Sequence, residues 1–174
     1  MRPFLSGFLA ALVLIPLGVL SCFRAGLPDV QADVRPPAWE SRLMGAAVRA
    51  SVQRSAATLP APPPATDEQL VEGGQLYVAG CEGCHGGLLK PFREDRSNYP
   101  PVPQLSHAGT QLTEPQIYWI VKHGIRLTAM SAYGPSYSEP QLWSIAAFLH
   151  RIRDLPPGVR ERIQATPMGA GAQP

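Results

Sequence analysis

Cysteine is scarce in this chain: Cys22, Cys81 and Cys84 are all that 174 residues contain. If Cys81 and Cys84 work as a pair, Cys22 is left without a partner, so no disulfide framework can be built. No second Cys or His pair stands at ligand spacing from Cys81 and Cys84, which is what a structural zinc site would require. Charge is thin as well: charged residues make up 16% and the net charge is +2, which gives no case for nucleic acid as a partner. A β-α-β pattern, the setting of a thioredoxin-like redox pair, is not visible around the two cysteines. From Phe4 to Phe23 there is no charged residue at all. Gly 16 and Pro 20 are abundant by contrast and point to loops and linkers. The length suits one domain plus appendages. Hydrophobic content is 45%, but the N-terminal run accounts for much of it. Few apolar residues remain for a core, so a bound group has to supply part of the buried surface.

The cysteine pair belongs to Cys81-Glu82-Gly83-Cys84-His85. This is C-x-x-C-H, the arrangement that attaches a c-type haem. Two thiols so spaced can both reach the haem periphery and form thioethers, and the adjoining imidazole can reach the iron from the same turn. The competing uses of a bare C-x-x-C are thiol redox chemistry, which lowers a thiol pKa at a helix start, and zinc binding. The pentapeptide resembles that of the c-type cytochromes. The resemblance covers roughly Thr66 to Asp154 and implies one covalent haem c, attached through Cys81 and Cys84, with His85 as the first axial ligand. A domain built in this way should be poorly folded without its haem.

Before that domain, Phe4–Phe23 is about long enough to cross a bilayer's ~30 Å hydrocarbon core as a helix. Pro16 interrupts it, which membrane helices tolerate. The expectation is an uncleaved anchor over residues 1–24. A cleaved signal peptide, with a small-residue site at Val30-Gln31-Ala32, is the competing reading. Val19-Leu20-Ser21-Cys22 also loosely resembles a lipoprotein cleavage box with lipidation at Cys22. Arg2 and Arg24 flank the run too symmetrically for charge to set its orientation. Residues 25–59 form a juxtamembrane segment, helical from Ala38 to Ala57. Trp39, Leu43, Ala46, Ala47 and Ala50 fall on one side of it. That side either rests on the membrane surface or packs on the haem domain. Residues 60–65, Pro60-Ala61-Pro62-Pro63-Pro64-Ala65, read as a semi-rigid linker marking the domain boundary.

The haem domain is expected over residues 66–155 as an all-α cytochrome c fold of about three main helices. Capping boxes open each of them: Thr66/Gln69, Thr113/Gln116 and Ser138/Gln141. The first helix delivers the haem motif at its C-terminal end. The resemblance implies that it crosses the last helix near Gly73, Gly74 and Tyr77, with Trp143 and Phe148 available to meet it. The middle helix carries Ile117, Ile120 and Val121 on its apolar side and stops at Gly124. The last carries Leu142, Ile145, Ala146, Leu149 and Ile152 and stops at Pro156-Pro157. Residues 156–174 read as a flexible tail. The loop from Gly86 to Leu112 shows no period and should wrap the haem irregularly. In cytochromes of this kind a proline carbonyl orients the ligand histidine; Pro91 and Pro101 are the candidates.

The second axial ligand is the open question of the sequence. Met130, Met168, His107, His123, His150 and solvent compete for it. Ile120–Gly134 resembles the segment that carries the axial methionine of class I cytochromes c, which makes Met130 the expected ligand. That segment usually reads Gly-Met-Pro; here it is Ala129-Met130-Ser131, without the residues that shape the loop. A neutral, soft thioether favours Fe(II) and raises the reduction potential. Arg126 could pair with a haem propionate, and Tyr118, Trp119 and Tyr133 could line the pocket.

The resemblance thus implies a one-electron carrier rather than an enzyme. It would be tethered by residues 4–23 to the bacterial inner membrane, single-pass, with the haem domain on the periplasmic side and redox proteins as partners. Seven Lys/Arg against nine Asp/Glu over residues 66–155 leave the domain close to neutral, which does not support strong steering by net charge. Two alternatives stand beside it: a haem relay subunit of a larger membrane oxidoreductase, and a haem peroxidase or gas sensor with His107 as distal residue if Met130 is not a ligand.

Overall fold

The structure, a computed structural model, describes residues 2–88 and 99–165. It divides into two compact units, Met1–Pro36 and Pro37–Pro174. All regular structure among the described residues is helical, the all-α class expected.

The first unit is helix α1 (Arg2–Arg24) with Pro16 inside it. Its large apolar side chains, from Phe4 to Phe23, are exposed. At 1.5 Å per residue it is ~34 Å long. This is the one helix among the described residues long and apolar enough to cross a membrane.

The second unit begins earlier than the sequence suggested. Helix α2 (Ala38–Ala56) belongs to it, so the compact unit starts at Pro37 rather than after the proline-rich stretch. Val52 and Ala56 of α2 are buried. Ser41, Gly45, Val48 and Ser55 are partly so. The buried side is therefore the narrow, small-residue side, which lets α2 lie close to helix α6 (Glu114–His123). The apolar side read from the sequence faces away: Trp39 is 66% and Leu43 61% exposed. Pro60–Pro63 do not run free either. With Ala65 they line a shallow groove closed by Gln69, Glu114 and Trp143.

Helix α3 (Asp67–Gly80) and helix α7 (Glu139–His150) form the central crossing of the unit. Leu70, Tyr77, Ile145 and Phe148 are completely buried where they meet. A Cβ on Gly73 would collide with the Ser144 carbonyl, so glycine is required for the backbones to approach. The expected aromatic contact is made by Phe148, whose ring centroid lies 5.5 Å from that of Tyr77. Trp143 turns elsewhere and stacks on Tyr118 at 4.1 Å. Ser144 Oγ donates to Glu72 Oε2 at 2.7 Å, which ties the same two helices on their polar side.

All three capping boxes form, at Thr66, Thr113 and Ser138. Each satisfies backbone donors that a helix start would otherwise leave open. Two short helices complete the unit's irregular parts, α4 (Glu82–His85) and α5 (Leu105–Ala108).

The tail needs correction. Residues Val159–Ala165 form helix α8, with Val159 and Ile163 buried. Ile163 packs where Gly74 leaves room on α3. An apolar pair four residues apart is enough to dock one helical turn pair. Pro156-Pro157 end α7 but not the fold. Residues beyond 165, Met168 among them, lie outside the described residues.

Candidate haem site

Helix α3 ends in the motif, and hydrogen bonds wind it into α4. Cys84 N donates to Cys81 O at 3.1 Å, and His85 N to the same carbonyl at 2.9 Å. Cys81, Cys84 and His85 therefore share a single turn. Tyr77 secures that turn from one helix turn upstream. Its hydroxyl reaches His85 O at 3.1 Å and Gly86 O at 2.5 Å. Burial, then the nearby Cys81 and Glu82, push the Tyr77 hydroxyl pKa well up, so it stays a proton donor.

The long loop approaches the motif from the other side. Gln104 Nε2 donates to Cys84 O at 3.0 Å and to Val102 O at 3.2 Å. His85 Nδ1 lies 2.9 Å from Pro103 O. A carbonyl can only accept, so Nδ1 carries the proton and Nε2 keeps its lone pair for a metal. The proline that orients His85 is thus Pro103, not Pro101; Pro91 lies outside the described residues. Pro103 lies in a loop with several prolines, and its pairing with a histidine 18 residues away depends on how that loop folds.

Met130 is brought to the same place by the turn after α6. Gly124 ends that helix at φ 66°, a left-handed conformation that costs glycine little. Its missing Cβ also leaves room for the returning chain: a Cβ there would stand 2.6 Å from Met130 O and 2.7 Å from Ser131 C. Ile125 N then donates to Met130 O at 3.0 Å. Thr128 Oγ1 donates to Ile125 O at 2.7 Å and accepts from Met130 N at 3.1 Å. Tyr133 N and Gly134 N close the loop onto Val121 O and Lys122 O, both at 3.0 Å. Gly124 and Thr128 thus shape the loop that carries Met130.

Cys81, Cys84, His85 and Met130 all line one cavity of about 570 Å³, within the ~300–1,000 Å³ usual for cofactor sites. Ile117, Ile120, Val121 and Leu149 make its apolar floor, and Pro100–Pro103 another wall. Helix α2 supplies Val48, Arg49, Val52 and Gln53. Tyr133 also lines the cavity, whereas Tyr118 and Trp119 do not. Trp119 packs against His123 instead. Among the described residues, the other ligand contenders, His107, His123 and His150, are not part of the cavity lining. His107 is exposed on α5, and His150 Nδ1 meets Leu112 O at 3.0 Å. Arg126 is exposed and does not line the cavity.

The residues present fit a covalently attached haem. Both motif thiols are free of disulfides, the imidazole is oriented with its lone pair available, and the cavity is mostly apolar. They fit the rival uses poorly. Burial, and then the neighbouring Cys84, raise the Cys81 thiol to about 11. Thiol–disulfide exchange needs the opposite shift. No group of three or more His, Cys, Asp or Glu is clustered for a metal ion among the described residues.

A helical unit in which a C-x-x-C-H turn and a methionine loop face one apolar cavity is a c-type cytochrome domain. Residues 68–149 match the family described as cytochrome C oxidase, cbb3-type, subunit III, which supports a c-type cytochrome domain over that stretch, with haem-based electron transfer as its chemistry. No curated protein and no solved structure matches the chain.

Proposed function

We propose that this protein transfers single electrons through one haem c, bound through Cys81 and Cys84, with His85 and Met130 as axial ligands. The observation that carries this reading is the convergence of those four residues on one cavity, with His85 Nδ1 occupied by Pro103 O. A haem held by these residues would supply a one-electron couple. The chain's own part is to orient the imidazole, to bring a soft sulfur to the same cavity and to exclude water with apolar walls. A peroxidase or sensor is less well supported, because its distal candidate His107 is exposed and does not line the cavity.

Residues 4–23 tether the domain to the bacterial inner membrane in this reading, with the haem domain on the periplasmic side. The length and apolar surface of α1 support it. So does the exposed side of α2, which carries Trp39, Leu43, Ala46 and Ala50, an apolar stripe suited to a membrane surface. The protein's partners are redox proteins at that membrane. The family match favours a second form of the same function, a relay subunit of a larger oxidoreductase.

Absorption spectroscopy of the full-length protein tests the ligand set. The Met130→Ala variant should keep its covalent haem by pyridine haemochrome assay. It should lose the weak far-red band of ferric His/Met haem and fall in reduction potential. An unchanged band would remove Met130 from the iron.

A further inference from the structure

The family match begins at residue 68, yet part of the cavity wall comes from residues 48–53. Helix α2 is fixed there by more than proximity. Val52 and Ala56 are buried, and Tyr99, next to the proline wall, donates its hydroxyl to Ser41 Oγ at 2.7 Å. This brings a charge to the site. Among the described residues lining the cavity, Arg49 is the one lysine or arginine. It makes no ion pair with any described residue. A haem carries two propionate groups, anionic near neutral pH, and a carboxylate beside apolar walls is costly without a donor or a counter-charge. An arginine offers a planar fork of donors suited to a carboxylate.

The geometry points to α2 as an integral part of the haem site, with Arg49 as the partner of a haem propionate and a determinant of the reduction potential. This rests on the haem reading above. A positive charge at the propionate offsets negative charge close to the iron, and so favours Fe(II), the form with one positive charge fewer. Arg49 is a positioning and electrostatic residue; it does not touch the iron.

The test compares the full-length holoprotein with Arg49→Gln, Arg49→Lys, Gln53→Arg and Arg42→Gln by spectroelectrochemical titration. Arg42 is exposed on the same helix, as Arg49 is, but does not line the cavity, so its variant removes the same charge from elsewhere. In Arg49→Gln the equilibrium constant for one-electron reduction should fall by about threefold or more, as expected of a unit charge within several ångströms. Arg49→Lys should recover most of the loss, Gln53→Arg should shift the constant upward, and Arg42→Gln should leave it near the parent value. Equal constants in Arg49→Gln and Arg42→Gln would overturn the inference, while an intact pyridine haemochrome in all variants would leave the haem reading standing. If Arg49→Gln gave no holoprotein, an unshifted Gln53→Arg would overturn it as well. A parent protein with no covalent haem would defeat both readings together.

Discussion

Replacement of Gly73 by alanine is the most direct probe of the crossing that presents the haem motif. A Cβ at this position would lie 2.5 Å from Ser144 C and 2.9 Å from Phe148 Cβ, and it would overlap the Ser144 carbonyl oxygen. The first two obstacles are backbone or backbone-proximal, so no rotamer change relieves them. Helices α3 and α7 must separate instead. Ordinary carbon contacts begin near 3.5 Å, so the gap needed is on the order of 1 Å. That opening weakens the packing of Leu70, Tyr77, Ile145 and Phe148, all completely buried. Overpacking of this kind costs about 1–3 kcal/mol, and a backbone collision belongs at the upper end. Alanine regains about 1 kcal/mol of helix propensity over glycine. The net expectation is a loss of about 2 kcal/mol, which at ~4 °C per kcal/mol for a unit of this size lowers Tm by roughly 8 °C. Gly74→Ala is the internal comparison. Its Cβ meets the end of the Ile163 side chain and Phe148 Cε2 at 3.1 Å, and α8 can shift, so it should cost less. The assay is thermal and denaturant unfolding of the holoprotein followed by far-UV circular dichroism. A Gly73→Ala protein as stable as the parent, or more stable than Gly74→Ala, would refute the close-crossing argument.

Three further outcomes follow from the same geometry. Tyr77→Phe leaves the His85 and Gly86 carbonyls without their hydroxyl donor and should destabilise the holoprotein by about 1–2 kcal/mol in urea unfolding, with haem retained. Cys81→Ala and Cys84→Ala should each leave one thioether, and the double variant none, so acid–acetone extraction should remove all haem from the double variant alone. Glu139 has its pKa lowered by the hydrogen bond from Lys122, 2.6 Å away; a carboxyl depressed in the folded state adds stability above its unfolded pKa, and that is lost as pH falls through the folded one. Glu139→Gln should therefore flatten the acid side of the stability profile, and only slightly, because the pair is exposed and screened by salt. A steeper acid limb in the variant would contradict that sign.

Some features of this chain were legible because they are local. C-x-x-C-H announces its chemistry within five residues, and each capping box is a four-residue signal that needs only its own backbone. Gly124 was readable as a helix stop for the same reason. The tail was misread because Val159 and Ile163 sit in a polar, proline-flanked setting, where two apolar residues carry little periodicity. Only the space beside Gly74 makes them a docked helix.

Helix α2 shows the limit most clearly. Its most apolar side, with Trp39 and Leu43, was the natural choice for burial, yet the side that packs carries Ser41, Gly45, Val48, Val52 and Ala56. Close approach to α6 and to the cavity favours small side chains over hydrophobic ones, and that demand comes from the partner surface. The three capped helices, their starts and the turn that presents two thiols and an imidazole were legible along the chain, because those depend on neighbours in sequence. Tertiary structure alone decided which proline carbonyl meets His85, which histidines stay outside and that Arg49 lines the cavity. Each of those pairs is separated by a loop or a helix, and nothing local to either partner encodes the meeting.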